Sequence, residues 1–130
     1  MKILIDTQVL VWLLDQDKNL GVASKNILSD KNNRVFVSYF SFFEIVIKSS
    51  IGKITFDDTL FRDLPEMGIE LIDPTVDVLK KYTIFNSDNK DPFDNILIAT
   101  ALNEKCFFMT ADEKILKTDL FELKLISARL

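Results

Sequence analysis

The sequence contains no histidine among its 130 residues. Its absence excludes catalysis by a histidine general base, histidine–cysteine nucleophile pairs and most zinc sites. Any catalysis by this chain would therefore need other groups.

Cysteine is almost as rare, and long apolar runs are missing. The one cysteine, Cys106, lies in an apolar stretch, which predicts a small buried hydrophobe and excludes a disulfide framework and a thiolate metal site. Apolar runs such as residues 9–14 are far too short to span a bilayer, and residues 1–2 lead straight into a strand-like run without a signal-peptide layout. We therefore expect a cytoplasmic protein with no membrane contact.

Positive charge is also scarce, since the formal net charge is −4. This value argues against nucleic-acid binding through a broad basic face. An acidic nuclease is still compatible with it, provided that bound cations neutralise the site. The length predicts one domain over residues 1–130.

Apolar residues make up 48% of the chain, enough to build a core. Continuous apolar strands alternate with helical patterns, which predicts an α/β fold. We expect a three-layer α/β/α sandwich around a mainly parallel sheet of about four to five strands. Ser24 is predicted to cap a short second helix. The expected strands are residues 2–5, 34–38, 69–72, 106–109 and 123–126.

Four acidic residues lie near the carboxyl ends of these strands. Asp6 follows the first strand, Glu44 lies early in the helix after the second, and Asp94 lies in the first turn of the helix before the fourth. Asp112 follows the fourth strand. Ligands of parallel sheets collect at this edge, where the strand order reverses. Clustered carboxylates repel each other, and Mg²⁺ or Mn²⁺ would remove that cost because these cations favour oxygen ligands.

Each acid also has an ordinary structural explanation. Asp6 and Asp112 could cap helices, and Asp91 and Asp94 could be acids favoured at a helix start. Glu44 could pair with a lysine four residues later, although its neighbours in the sequence are apolar and indicate a position flanked by core. Convergence of all four at one sheet edge is harder to explain in this way.

Four segments of the sequence resemble PIN-domain ribonucleases, and in particular the VapC-like toxins of prokaryotic toxin–antitoxin pairs. Residues 91–94 read Asp-Pro-Phe-Asp, and residues 96–99 read Ile-Leu-Ile-Ala, which is the most specific of the motifs. The other segments are residues 4–7, 38–45 and 110–112. The order and spacing fit the family from residue 2 to about residue 126, which is nearly the whole chain.

The resemblance implies a Mg²⁺- or Mn²⁺-dependent endoribonuclease. Asp6, Glu44, Asp94 and Asp112 match the family's acidic quartet, and we expect Asp6, Asp94 and Asp112 to hold metal. Glu44 would hold a second metal or orient the attacking water. Supporting positions are Asp91, an acid frequent in the VapC-like subgroup, and Thr110, a polar residue often beside the last acid. Gln8, Asn89 and Asn95 depart from the subgroup, which commonly has histidine, histidine and arginine there; this puts RNA contacts in doubt rather than metal binding.

The resemblance also implies partners: an RNA substrate, a cognate antitoxin that inserts near the acidic pocket, and a second copy in a homodimer. Phosphate contacts would need cations, and the available lysines are Lys48, Lys53, Lys80, Lys81, Lys90 and Lys114. Two alternatives stay open. One is a catalytically weak PIN module that acts as a binding partner, and the other is a phosphotransfer or receiver-like α/β domain.

Overall fold

The computed structural model describes residues 1–53, 59–84, 90–120 and 122–130. Five strands form one sheet in the order β3-β2-β1-β4-β5, and every neighbouring pair is parallel. The parallel α/β class predicted from the sequence is confirmed. The strands are β1 (Lys2–Ile5), β2 (Arg34–Ser38), β3 (Ile69–Ile72), β4 (Phe107–Thr110) and β5 (Lys124–Ser127).

Helices connect successive strands, as parallel pairing requires. They are α1 (Thr7–Leu14), α2 (Val22–Ser29), α3 (Tyr39–Ser50), α4 (Thr59–Glu66), α5 (Val76–Ile84), α6 (Pro92–Glu104) and α7 (Glu113–Leu116).

Side chains of the central strand β1 alternate between two apolar layers. Ile3 and Ile5 pack on one face with residues of α1, α3 and α4, whereas Leu4 packs on the other face with residues of α6 and α7. All three side chains are fully buried. Burial on both faces explains why the strand is apolar at every position, and it confirms the three-layer arrangement.

The strand order reverses next to β1. The chain runs outward from β1 to β2 and β3, and then crosses back to place β4 on the other side of β1. The carboxyl ends of β1 and β4 therefore flank the crevice in which open α/β sheets bind ligands. In receiver domains, by contrast, the first strand lies between the second and third, so this topology does not support the receiver-like alternative.

The start of α2 differs from the prediction. α2 begins at Val22 with Gly21 as its N-cap, so the predicted cap at Ser24 is wrong. Ser24 lies buried within the helix, and its hydroxyl donates to the carbonyl of Ser127 at 3.0 Å. α3 begins at Tyr39, capped by Ser38, which places Glu44 in its second turn. Within the described ranges, no helix is both long and apolar enough to cross a membrane.

Candidate active site

A cleft of about 320 Å³ opens where the strand order reverses. All four acids predicted from the sequence line it, and so does the supporting residue Asp91. The lining residues are Asp6, Thr7, Gln8, Trp12, Glu44, Lys48, Asp91, Asp94, Ala111, Asp112 and Arg129.

Asp6 lies at the base of this cleft, directly after β1 and at the start of α1. Its side chain is only 6% exposed. Oδ1 accepts a hydrogen bond from the backbone N–H of Val9 at 2.8 Å, which caps α1, and Oδ2 accepts one from Thr110 Oγ1 at 2.5 Å. Burial raises the pKa of Asp6 from 3.8 to about 6, against the two hydrogen bonds that lower it; the charges of Asp94 and Glu44 raise it further.

Thr110 links two of the acids, although it does not line the cleft itself. It is fully buried at the end of β4. Its hydroxyl donates to Asp6 and accepts from the backbone N–H of Asp112 at 3.1 Å. The position that the resemblance marked as supporting therefore fixes one acidic side chain and the backbone of another.

Glu44 is a buried carboxylate with two partners. It is 5% exposed; Oε1 lies 2.6 Å from Thr7 Oγ1, and Oε2 lies 2.7 Å from Lys48 Nζ. The pairing with Lys48 four residues later is the ordinary explanation of Glu44, and its position in the cleft is the functional one. The structure contains both, because the helix turns the side chain inward and the lysine reaches it from the more exposed side.

The remaining acids enter the cleft from helix starts. Asp91 caps α6 and accepts from the N–H of Phe93 at 2.9 Å, and Asp94 follows in the first turn, partly buried. Asp112 caps α7, and its Oδ1 accepts from the N–H groups of Lys114 at 2.8 Å and Ile115 at 3.3 Å. Capping and lining the cleft are therefore compatible, since a carboxylate has two oxygens and several lone pairs.

The donor set of the cleft fits a hydrated divalent cation. Its acidic residues supply only oxygen ligands, which Mg²⁺ and Mn²⁺ prefer. Among the described residues, no three acidic, cysteine or histidine side chains form a closed metal-binding group. Mg²⁺ does not need such a cage, because it commonly keeps several waters and binds through one or two carboxylates. Burial is the main cause of the raised pKa of Asp6, and the smaller contribution from the charges of Asp94 and Glu44 is the cost that a cation would remove.

Several residues of the cleft were missed from the sequence. Only Lys48 of the six candidate lysines is among its lining residues, and Lys48 is paired with Glu44. The cation that the prediction overlooked is Arg129, which follows β5. The rule that selected the acids, a polar residue just after a strand, would also have selected it.

The positions that depart from the VapC-like subgroup lie in different surroundings. Gln8 is exposed and lines the cleft, whereas Asn95 is partly buried on α6 and does not line it. Asn89 lies outside the described residues.

Several solved structures share this fold. A chain of VapBC2 from Rickettsia felis, bound to a DNA fragment from their promoter, matches with a TM-score of 0.72 and 17% identity, and the match covers 98% of both chains. A chain of VapBC-1 from nontypeable Haemophilus influenzae matches with a TM-score of 0.67 and 16% identity, again over 98% of both chains. A toxin–antitoxin complex from Klebsiella pneumoniae matches with a TM-score of 0.61 and 16% identity, over 94% of this chain and 98% of the other. At these identities the likeness concerns the fold.

A comparison with curated proteins gives no match. The family model of the PIN domain, however, matches residues 3–120. That span contains the five acids of the cleft and four of the five strands, since β5 lies beyond it. The chain belongs to the PIN domain family.

Proposed function

We propose that this protein is a divalent-metal-dependent endoribonuclease and the toxin of a toxin–antitoxin pair. The observation that carries the proposal is the convergence of Asp6, Glu44, Asp94 and Asp112 on one cleft at the reversal of the strand order. The carboxylates come from separate elements, and an uncompensated cluster of this kind costs free energy in the fold. Membership of the PIN domain family supports the same reading.

In this proposal Asp6 and Asp94 are direct ligands of Mg²⁺ or Mn²⁺, and Asp112 completes the ligand set. Glu44 holds a second ion or orients the attacking water. When bound, the cation would neutralise charge at the phosphate and would make water at the site more acidic, which favours its attack on phosphorus. The chain itself supplies rigid positions: bonds from Val9 and Thr110 hold both oxygens of Asp6. Such fixed ligands place water and phosphate without rearrangement during the reaction.

The partner in this proposal is an antitoxin that covers the cleft and the adjoining face of α3. Phe43, Val46, Ile47 and Ile51 are exposed on or just after this helix, which also carries Glu44 and Lys48 of the cleft. Exposed apolar residues grouped in this way are typical of protein interfaces. The similar structures include a toxin–antitoxin complex, which supports the same assignment. Homodimer formation stays a prediction, which sedimentation of the purified chain checks.

The test is cleavage of total cellular RNA by purified protein free of any antitoxin, with Mg²⁺, with Mn²⁺ or with a chelator. We expect cleavage with either metal and none with the chelator. Asp6→Asn and Asp94→Asn should each reduce the rate by at least about 10- to 100-fold, the loss that even an outer-shell metal partner causes. Asp63→Asn, which changes an exposed carboxylate on α4, is the matched control.

Two results would contradict the proposal. The enzyme assignment fails if the wild-type protein cuts no RNA with either metal. Binding of antitoxin without cleavage would instead favour the catalytically weak PIN module. Full activity in Asp94→Asn would contradict the assignment of the metal ligands while leaving the nuclease activity standing. Mapping the cut sites on cellular RNA after induction then identifies the target.

A further inference from the structure

Arg129 is a cation at the rim of the acidic cleft. It is exposed, it lines the cleft together with the acids, and it follows β5 by two residues. Its guanidinium carbon lies 5.1 Å from the centre of the Trp12 ring, and Trp12 itself is buried. The guanidinium therefore stacks on the face of the indole ring, and this contact restricts its orientation.

The residue before Arg129, Ala128, is fixed by hydrogen bonds at both its N–H and its carbonyl. The N–H of Ala128 donates to the carbonyl of Thr110 at 2.8 Å, and Thr110 is the residue whose hydroxyl holds Asp6. The carbonyl of Ala128 accepts from the N–H of Gly21 at 2.9 Å. Arg129 is thus held in a defined position relative to the acids.

The charge of Arg129 is not neutralised by an acid within the described part of the chain. The other cation of the cleft, Lys48, is paired with Glu44 at 2.7 Å. Arg129, in contrast, makes no ion pair with any acid that the structure describes, although five acids line the same cleft. Its guanidinium donors remain available to an anion that enters from solvent.

We propose that Arg129 binds a phosphate of the RNA strand next to the one that is cut. This inference rests on the proposed nuclease function and deepens it. An RNA strand that approaches five carboxylates is repelled, and the protein has a formal net charge of −4. A bound metal would reduce that repulsion only at the phosphate that is cut. An oriented arginine at the rim would reduce the repulsion at a neighbouring phosphate, to which it can donate two parallel charge-assisted hydrogen bonds.

A purely structural role would have a different signature. If Arg129 only reduces repulsion among the acids, its loss changes the Mg²⁺ concentration needed for half-maximal activity and leaves RNA affinity unchanged. If it binds phosphate, its loss raises KM and weakens RNA binding, whereas kcat and the Mg²⁺ requirement stay nearly constant.

The test combines kinetics with binding. Kinetics compares the wild-type protein with Arg129→Ala, Arg129→Lys and the control Arg62→Ala, which removes the same charge from an exposed position on α4. Binding is measured by the anisotropy of a fluorescein-labelled single-stranded RNA, with and without Arg129→Ala, in metal-free Asp94→Asn protein. We expect Arg129→Ala to raise KM and Kd about tenfold. We also expect it to reduce the slope of log affinity against log salt by about 0.7, the value of one single-strand phosphate contact.

The conservative variant adds a second criterion. Arg129→Lys keeps the charge but loses the planar fork and the stacking on Trp12, so we expect a KM between those of the wild type and Arg129→Ala. Arg62→Ala should change neither KM nor the salt slope. An unchanged KM and salt slope in Arg129→Ala overturn the inference, as does a change confined to the Mg²⁺ requirement.

Failure of this inference is distinguishable from failure of the proposed function. Absence of RNA cleavage by the wild-type protein contradicts the nuclease, and the binding measurement still decides whether Arg129 contacts RNA. Normal cleavage with unchanged binding in Arg129→Ala contradicts only the role of Arg129.

Discussion

Asp6→Asn is expected to make the metal-free protein more stable at neutral pH while it abolishes activity. The reason is that Asp6 is an ionisable carboxyl with 6% exposure whose pKa is raised to about 6 by burial. Asparagine fits the same position, because its carbonyl oxygen can accept from Val9 as the present Oδ1 does. Its amide can donate to the Thr110 hydroxyl oxygen, although the Thr110 hydrogen then loses the acceptor that it has in Asp6, which offsets part of the gain.

The size of the effect follows from the pKa. The value rises from 3.8 to about 6, and each unit corresponds to about 1.4 kcal/mol, so ionised Asp6 destabilises the fold by about 3 kcal/mol above pH 7. Because the folded pKa lies above the unfolded one, the folded state holds the proton more tightly between these values. The contribution of Asp6 to stability is therefore fully present below pH 3.8 and is lost as the pH rises through about 6. For a chain of this length, 3 kcal/mol corresponds to roughly 10 °C in Tm.

The assay is urea denaturation in a chelating buffer, followed by circular dichroism at several values between pH 4 and pH 8. We expect the difference in unfolding free energy between Asp6→Asn and wild type to be small near pH 4 and to grow to about 3 kcal/mol by pH 8. Asp63→Asn, on an exposed face of α4, should stay within about 0.5 kcal/mol of wild type throughout. A difference that does not vary with pH, or a variant less stable than wild type at pH 8, would refute the reasoning.

Three further perturbations test the same site and the packing around it. In metal-free protein, Thr110→Val removes the hydroxyl that donates to Asp6, so it should raise the pKa of the Asp6 carboxyl further. It should also destabilise the fold by about 1–3 kcal/mol, and denaturation at several pH values measures both effects. Lys48→Met leaves the Glu44 carboxylate buried without its cation. Because Lys48 is 40% exposed, we expect about 2 kcal/mol of destabilisation in urea, between the costs for surface and buried pairs, and a loss below about 0.5 kcal/mol would contradict the stabilising role of the pair. Gly21→Ala would place a Cβ 2.1 Å from a backbone carbon, so we expect thermal melts to show a loss of about 1–3 kcal/mol in stability. Gly52→Ala has open space around its Cβ but a positive φ, so it should cost only about 1–2 kcal/mol.

The strand-end rule predicted much of the site from the sequence. Asp6, Asp112 and the acids at the start of α6 follow directly from the positions of apolar strands and helix starts, because parallel strands bring their carboxyl ends to one edge. The ordinary explanation of Asp6 and Asp112 as helix caps holds in the structure, and their functional role stays a prediction. Helix capping occupies particular oxygens of Asp6 and Asp112, and the same residues line the cleft.

What the sequence did not reveal were contacts between residues far apart along the chain. Thr110 and Asp6 are 104 residues apart, and Thr7 and Glu44 are 37 apart; both contacts depend on how strands and helices pack. Arg129 was missed because only lysines were considered as cations for phosphate. Ser24 was assigned as a helix cap because the close approach of the last residues to Gly21 cannot be read from local sequence.

The sequence by itself determined the α/β class, the parallel sheet and the set of acids, because these depend on local periodicity and on residue type. The absence of histidine likewise excludes histidine-based catalysis, and it does so through composition alone. Only the tertiary structure decided the strand order, the burial that raises the pKa of Asp6, and the ion pairing that, among the described residues, occupies Lys48 but not Arg129. The physical reason is that burial and ion pairing depend on the distances between elements, which packing sets and local sequence does not.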